Sequence, residues 1–291
     1  MVVGRQTRTF VVAGAGISGL ATAARLAAAG HRVVVCEQRP AWDLRRDAHD
    51  VPALTTLPQV FREFTAATGM AWPLDRDRAP VLRRHRLPGG ITVDFPGHNP
   101  ARTIAAALGP RAAQQWRRYC HRAAPLFAAQ IGAILAPAPH AAPPDPARLA
   151  RTIMHPQLRT LVEREAYRSD RPVASRLTGP YATAAFGVWP VTGGMAGLRD
   201  SLEQTARRHG TVVFTGAQVT AMEGGGTPSA RLATGERLPA DAVVATPGAA
   251  QTIDVRPSAP LHILDGAAHL GDGPAYDLLA AKAAVSALLA G

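Results

Sequence analysis

The chain has 291 residues, enough for two structural units or for one large α/β unit. Its 27 glycines and 25 prolines are too few for low-complexity disorder, and 47% hydrophobic residues is ordinary for a globular protein. The formal net charge is +11, and Lys282 is the only lysine, so arginine carries nearly all of the positive charge. Because these arginines are scattered with acids between many of them, and only 5% of residues are aromatic, we expect no nucleic-acid binding.

Cysteine usage and the N-terminal residues bear on the compartment. Cys36 and Cys120 are too few and too far apart for a disulfide framework or a zinc site, which indicates a reducing environment. Residues 1–9 contain no apolar stretch of the kind that targets a chain for secretion. Residues 123–144 approach the length of a membrane span, but prolines from Pro125 onward are expected to break such a helix. We therefore expect a cytoplasmic protein.

The N-terminal elements predict a βαβ unit. Residues 9–13 are a short apolar run that ends at Gly14. Residues 20–29 are rich in alanine and have high helical propensity. Residues 31–36 predict a second buried strand, which Glu37 closes. Two parallel strands need a crossover of this kind, so the unit is the start of a parallel sheet.

The middle of the chain predicts a different layer. Its predicted elements are a helix over 57–69, two strands over 81–95 that turn at 88–90, two helices over 99–135 divided at 109–110, a proline-rich surface linker over 136–146 and a helical pattern over 149–167. After it the α/β pattern returns, with a helix over 196–209, a strand over 211–214, a hairpin over 231–238, strands over 242–245 and 261–264, and a glycine-rich turn over 266–273 before a helix that ends at 289. The two ends of the chain therefore share one architecture.

A glycine-rich loop joins the first strand to the first helix, and it consists of Gly14, Ala15, Gly16, Ile17, Ser18 and Gly19. Gly14 permits a tight turn, Gly16 lets a pyrophosphate approach the backbone, and Gly19 lets the helix lie close to the strand. The N-terminus of the helix offers free N–H groups and the positive end of its dipole to the phosphates.

Glu37 ends the second strand, where a carboxylate accepts hydrogen bonds from ribose hydroxyls and repels a 2′-phosphate. Gln38 and Arg39 follow it and are included in the predicted cofactor site. A Gly-x-Gly-x-x-Gly sequence alone arises by chance in a chain rich in glycine and alanine. The strand before it, the helix after it and the acid 18 residues beyond Gly19 together predict a dinucleotide site.

Four segments in the same order resemble the FAD-dependent oxidoreductases of the phytoene desaturase and amine oxidase group. They are residues 11–37, residues 54–64, residues 186–195 with the continuing stretches 215–219 and 240–247, and residues 266–276. The resemblance implies an α/β fold in which an FAD/NAD(P)-binding Rossmann-like domain is split in sequence around an inserted, shortened α+β substrate domain. The corresponding divisions are residues 1–55 and 186–291 for the FAD-binding domain and residues 56–185 for the substrate domain.

The resemblance also implies roles for individual residues toward FAD. Gly14, Gly16 and Gly19 hold the pyrophosphate, and Glu37 holds the adenosine ribose. Val219 contacts the adenine through its backbone. The remaining cofactor-binding residues implied are Ala245, Thr246 and Pro247 at a strand end, and Gly266, Gly273 and Pro274 near the ribityl chain and the isoalloxazine.

Two features depart from the family pattern. After Glu37 the family has a Gly-Gly-Arg turn that touches the cofactor, whereas residues 40–46 here offer only Arg45 and Arg46 as substitutes. Relatives also insert the second half of the substrate domain before the last FAD segment, where this chain has only residues 247–260. The chain is therefore either a compact form with a reshaped site or one that completes its cavity by association.

His269, in the glycine-rich turn near the expected flavin ring, is the candidate catalytic residue, although a structural role in the loop is the alternative. Asp265 and Asp272 flank it, and Asp272 is more typical of a helix N-cap than of a general base. No spacing of histidine, cysteine or acidic residues predicts a metal site, and no Gly-x-Ser-x-Gly motif predicts a hydrolase. A flavin enzyme needs few acid–base side chains, because the isoalloxazine supplies the redox step.

The resemblance implies an FAD-dependent oxidoreductase that abstracts hydride from a small apolar biosynthetic substrate. The alternative is a non-redox isomerase or cyclase, or a vestigial binding protein, on the same fold. We also expect residues 110–145 to leave apolar surface uncovered and to mediate self-association into a homo-oligomer, or contact with a membrane or carrier, unless they pack on the FAD domain. The apolar residues concerned are Trp116, Leu126, Phe127, Ile131, Ile134 and Leu135, and the arginines that suit an anionic surface are Arg111, Arg117, Arg118 and Arg122.

Overall fold

The computed structural model describes residues 6–40, 54–79, 81–96, 99–135, 149, 152–166, 177–223, 228–255, 261–264 and 273–290. In chain order the described strands are β1 (Thr9–Ala13), β2 (Arg32–Glu37), β3 (Leu54–Thr55), β4 (Val81–Arg86), β5 (Thr92–Pro96), β6 (Trp189–Pro190), β7 (Val212–Thr215), β8 (Val219–Glu223), β9 (Ser229–Leu232), β10 (Arg237–Pro239), β11 (Ala242–Ala245), β12 (Asp254–Val255) and β13 (Leu261–Ile263). The described α-helices are α1 (Ile17–Ala28), α2 (Pro58–Thr68), α3 (Ala101–Leu108), α4 (Pro110–Leu135), α5 (Pro156–Ala166), α6 (Gly179–Phe186), α7 (Gly194–Arg208), α8 (Pro247–Ala250) and α9 (Pro274–Ala290).

A five-stranded parallel sheet in the order β13-β11-β1-β2-β7 forms the centre of the larger unit. β1 lies between β2 and β11, so the first strand of the chain pairs with a strand more than 200 residues later. The predicted βαβ unit and the parallel sheet are confirmed. A second sheet in the order β10-β9-β8-β12 contains the predicted hairpin over residues 231–238.

The alternation of side chains along the strands builds three layers. In β1, Phe10 and Val12 face a helical layer in which α1 packs with α2, α7 and α9. Val11 and Ala13 face the opposite way, into a core shared with the second sheet. Both faces of the parallel sheet are therefore covered, which explains why its central strands are continuous apolar runs.

The inserted unit has a hydrophobic core of its own. The hairpin β4–β5 turns at residues 88–90, as the sequence predicts, and packs against α3, α4 and α5. The rings of Phe95, Trp116 and Tyr119 contact one another in series in this core, with ring centroids 5.8 and 5.2 Å apart, the first pair edge to face. The core is closed by Leu158 and Leu161 of α5.

α4 joins the two cores, and two expectations about it are wrong. The first half of α4 packs in the core of the inserted unit. In the second half of α4, Phe127 packs against Tyr181 and Phe186 in the core of the larger unit. Pro125 lies inside this helix and does not end it.

The apolar side chains that we expected to be uncovered are instead largely internal. Trp116 and Phe127 are buried, Leu126, Ile131 and Leu135 pack partly against the cores, and the side chain of Ile134 lies outside the described part. The premise of an exposed apolar face therefore fails, and self-association stays a prediction.

Two other elements differ from the sequence prediction. The helical pattern expected over 149–167 is interrupted: Leu149 is helical, residues 152–155 are not, and α5 begins at Pro156, because proline favours the first turn and disfavours helical backbone in the preceding residue. α2 falls in the proposed substrate division 56–185, but Phe61 and Phe64 pack in the core of the larger unit with α1 and α9. The division of the chain at residues 55 and 185 stays a proposal.

An ion pair links three helices of this layer. The Arg25 guanidinium of α1 donates two hydrogen bonds to the Glu63 carboxylate of α2, one of them 3.0 Å long, and the Lys282 Nζ of α9 lies 3.5 Å from Glu63 Oε1. Arg25 also lies 4.9 Å above the ring of Phe64. Partial burial raises the pKa of the Glu63 carboxyl, but the hydrogen bond and charge of Arg25, with the charge of Lys282, outweigh it and lower the pKa below 4.5.

Glu63→Gln is expected to lower the free energy of unfolding at neutral pH by about 1–2 kcal/mol, because the buried Arg25 loses its counter-charge. The loss is no larger because the Glu63 side chain is 39% exposed, so solvent screens its interaction with Arg25. A carboxyl whose pKa is lowered by folding stabilises the fold above its unfolded pKa, and this contribution is lost as the pH falls through the folded pKa. The difference between wild type and variant in urea unfolding should therefore vanish in acid. Glu163→Gln, which removes a carboxylate without an ion pair in the described part, is the control, and an equal loss in both variants would contradict the assignment.

Candidate cofactor site

The turn after β1 leaves no room for side chains at its two outer glycines. Gly14 has φ +95°, a conformation that disfavours any other residue, and a Cβ there would lie 2.2 Å from Thr246 Oγ1. A Cβ on Gly19 would lie 2.0 Å from the Gly14 carbonyl oxygen. The Thr246 N–H donates to the Ala13 carbonyl at 2.9 Å, which fixes the end of β11 beside the turn.

Gly16 has a different environment from Gly14 and Gly19. A Cβ built on Gly16 meets no atom within 4 Å, so the backbone there faces open space. Gly16 is the N-cap residue of α1, and among the described residues no side chain caps this helix or supplies an acid to its first turn. The first N–H groups of a helix lack intrahelical partners and carry its positive dipole end, so the turn presents free donors to an anion.

Glu37 reaches from the end of β2 into this turn. Its Oε2 accepts a hydrogen bond of 2.9 Å from the Ala15 N–H, and its Oε1 accepts from the Arg39 N–H at 3.1 Å. The carboxylate is buried, and the exposed Gln38 follows it. Sequence reasoning missed the bond to Ala15, for which the motif gives no signal. Oε1 also accepts a hydrogen bond of 3.3 Å from the Arg39 Nε, which fills its two acceptor positions, so the capacity that Glu37 retains for a ribose hydroxyl lies on Oε2.

The residues after β7 lie against those after β2. The Ala217 N–H donates to the Glu37 carbonyl and the Gly216 N–H to the Arg39 carbonyl, each at 2.8 Å. The chain then enters β8 at the buried Val219. The structure thus brings the segment that leads into Val219 next to Glu37, although β2 and β8 belong to different sheets.

The remaining described residues of the predicted site lie at the start of α9 and at the end of β11. Gly273 has φ +113°, and a Cβ there would lie 3.9 Å from the Leu54 carbonyl oxygen. Leu54 pairs with Pro190, and Thr55 pairs with Trp189, in the antiparallel pair β3–β6. Arg78 lies 5.0 Å above the Trp189 ring. Ala245, Thr246 and Pro247 lie where β11 ends and α8 begins, and Pro274 is the first residue of α9.

Several predicted residues lie outside the described part of the chain. They are Arg45, Arg46, Asp265, Gly266, His269 and Asp272. Across the described ranges, no three histidine, cysteine or acidic side chains are grouped as metal ligands would be. Within the same ranges, no helix has the length and apolar composition needed to cross a membrane.

Cys36 is a buried thiol, and Cys120 is a partly buried one. Burial, and then the charge of Glu236, raise the pKa of Cys36 to about 11, and burial raises the pKa of Cys120 to about 12. The thiolate is the nucleophilic form, so neither side chain is activated for chemistry at neutral pH.

We expect Ellman's reagent to leave both Cys36 and Cys120 unmodified in the native protein at about pH 7.5, because thiols with pKa values of about 11 and 12 hold almost no thiolate there. Both thiols should react once the protein is unfolded in guanidinium chloride. Rapid modification of one thiol in the native state would show that its environment is not the buried one described.

Gly19→Ala is expected to lower the free energy of unfolding by about 1–3 kcal/mol, because the added methyl group collides with the Gly14 carbonyl. Gly16→Ala is the matched control, since the added methyl group there meets no atom. Denaturant unfolding of the cofactor-free proteins measures both effects. Equal stability of the two variants would contradict the close approach of α1 to the turn.

Comparison with known proteins gives the family. Residues 9–266 match the DAO family of FAD-dependent oxidoreductases. The chain belongs to this family. It is 32% identical over 277 residues to hydroxyneurosporene desaturase of Cereibacter sphaeroides, covering 80% of this chain and 55% of that protein. It is 30% identical over 275 residues to phytoene dehydrogenase of Streptomyces griseus, covering 81% of this chain and 54% of that protein. The predicted resemblance and FAD as the family cofactor are confirmed.

Solved structures give the fold. A putrescine oxidase superposes with a TM-score of 0.58 at 18% identity, covering 87% of this chain and 61% of the oxidase. An oxidoreductase from Methanosarcina mazei superposes with a TM-score of 0.51 at 18% identity, covering 82% of this chain and 58% of that one. The predicted α/β fold class is confirmed. The chain spans about half the length of the curated relatives that it matches.

Proposed function

We propose that this chain binds FAD with its diphosphate on the turn before α1 and acts as an oxidoreductase. The observation that carries the proposal is the open backbone at Gly16 beside uncapped helix N–H groups, within reach of a buried acid at the end of β2. An anion can approach this backbone without meeting a side chain. Glu37 then accepts hydrogen bonds from the adenosine ribose, and the backbone of Val219 contacts the adenine.

The flavin end of the cofactor belongs beside the start of α9, where Gly273 and Pro274 meet β3. Bound FAD supplies a two-electron acceptor for hydride from substrate carbon. The role of the chain is to orient substrate and to exclude water. The exposed Leu54 of β3 lies next to the start of α9 and would present apolar surface to a substrate there, with Trp189 on the paired strand β6.

The substrate class that we propose is a small apolar biosynthetic compound, in which loss of a hydride to FAD and of a proton from the adjacent carbon to solvent would create a double bond. Support comes from the two relatives, a hydroxyneurosporene desaturase and a phytoene dehydrogenase. A specific observation favours an alternative. Only residues 246–260 connect β11 to β13, so the chain lacks the long insertion that the family resemblance implies at this point. A non-redox isomerase or cyclase, or a vestigial binding protein, on the same fold would tolerate this reduced substrate unit.

We expect the purified protein to be yellow and to contain one FAD per chain. Gly16→Val should reduce the FAD content to below about one tenth while folding is retained, because its branched side chain fills the space that the pyrophosphate needs. Gly132→Val, in an exposed and equally open position of α4, is the control and should retain FAD. Flavin absorbance and circular dichroism measure the two properties. A colourless protein that ignores added FAD would refute the proposal.

Anaerobic incubation with an apolar polyene substrate separates the two functions. An oxidoreductase bleaches its flavin absorbance as the product forms, because the electrons remain on the cofactor without an acceptor. A product that forms without bleaching would support the isomerase or cyclase. Neither product nor bleaching, in protein that contains FAD, would support the binding protein.

A further inference from the structure

Three arginines lie on one exposed stripe of α4. Arg111, Arg118 and Arg122 are separated by seven and four residues, with Gln115 between them, a spacing that puts all four side chains on one face of a helix. All three arginines are exposed, and they span about 16 Å at the helical rise per residue. The stripe therefore points away from the two cores that the opposite face of α4 builds.

No acid offsets this charge along the surrounding sequence. Between Asp94 and Asp145 the chain contains no aspartate or glutamate. In the part of the chain that the structure describes, Arg111, Arg118 and Arg122 form no ion pair. Other exposed arginines, such as Arg84 with Asp94, do have carboxylate partners.

An exposed apolar side chain stands beside the stripe. Met154 is 72% exposed, and the segment that carries it is held against α4, because Gln115 Oε1 accepts hydrogen bonds of 2.9 Å from the N–H groups of Met154 and His155. The preceding residue, Ile153, is fully buried, and its carbonyl accepts two hydrogen bonds from the Arg159 guanidinium. Met154 is therefore presented at a fixed place next to Gln115.

The chemistry of this face favours a lipid surface over other anionic partners. Trp116 and Tyr119 of α4 are buried, so neither of these rings is available for nucleic-acid bases to stack on. An anionic bilayer offers lipid phosphates to the arginines and an apolar interior to a methionine. The helix α5 behind Met154 carries Glu163 and Glu165, but Glu165 is buried against Arg83 and His85.

We propose that Arg111, Arg118 and Arg122 with Met154 form a docking surface for the anionic surface of a lipid bilayer. The arginines pair with lipid phosphates, and the Met154 side chain enters the interface. This surface is separate from the FAD site, and the proposal does not depend on the redox function.

Sedimentation of the full chain with lipid vesicles tests the proposal. We expect binding to vesicles of phosphatidylcholine mixed equally with phosphatidylglycerol, no binding to phosphatidylcholine alone, and weaker binding as salt rises. The triple variant Arg111→Gln, Arg118→Gln and Arg122→Gln should bind on the order of 100-fold more weakly, because each arginine near an anionic surface contributes a factor of about five. The control triple Arg32→Gln, Arg62→Gln and Arg76→Gln removes the same charge from exposed sites elsewhere and should bind within about threefold of wild type.

Equal losses in the two triples, or no binding by the wild type, would overturn the proposal, because attraction would then follow the net charge of +11 and not this surface. Circular dichroism shows whether the variants remain folded. If the stripe triple fails to fold, Met154→Ser provides the second measurement and should weaken vesicle binding severalfold.

A fluorescent label on Met154→Cys tests insertion directly. Burial raises the pKa of both native thiols, so an environment-sensitive maleimide should react selectively with the new, exposed cysteine. We expect the emission to shift to the blue with anionic vesicles and not with duplex DNA. A stripe-dependent affinity for DNA that equals or exceeds the affinity for vesicles, without an emission shift, would identify a general polyanion site and refute the bilayer proposal.

Discussion

The contact that positions the candidate cofactor site is the approach of α1 to the ends of two parallel strands. Gly19 touches the Gly14 carbonyl, and Thr246 occupies the space beside Gly14 where a side chain would otherwise project. Because Gly14 is packed against Thr246 and Gly19 against the Gly14 carbonyl, the N-terminal end of α1 points toward the turn. The free N–H groups of the helix then face the open space at Gly16. The anion site is therefore a consequence of backbone packing and does not need a cationic side chain.

The rest of the larger unit holds this helix in place. α1 is almost wholly buried, because alanine allows α7 and α9 to approach it from either side. Arg25, near its other end, pairs with Glu63 of α2, and Lys282 brings α9 to the same carboxylate. α9 also begins beside β3, at the place proposed for the flavin. The helix layer therefore connects that place to the phosphate turn at the start of α1.

The sequence predicted those parts of the fold that carry a local signal, which is either a periodic hydrophobic pattern or a glycine at a turn or at a helix end. The first βαβ unit, the hairpin at residues 88–90 and the two helices divided at residue 109 follow from such local signals. The pair β3–β6 could not be predicted, because strands of two residues have no period and their partners are more than 130 residues apart. The Glu37 bond to Ala15 depends on tertiary placement, and Pro125 is accommodated within a helix anchored in two cores.

The apolar residues of α4 lie mostly inside the protein, although the sequence suggested that they are exposed. Its apolar side chains suggested an exposed surface, but the helical period gathers them on faces that pack in two separate cores and leaves Arg111, Arg118 and Arg122 outside. One helix thus builds the inserted unit, attaches it to the larger unit and gives it a cationic outer face. An apolar substrate partitions into lipid, so a bilayer contact on this helix would bring the inserted unit to the phase in which that substrate is most concentrated.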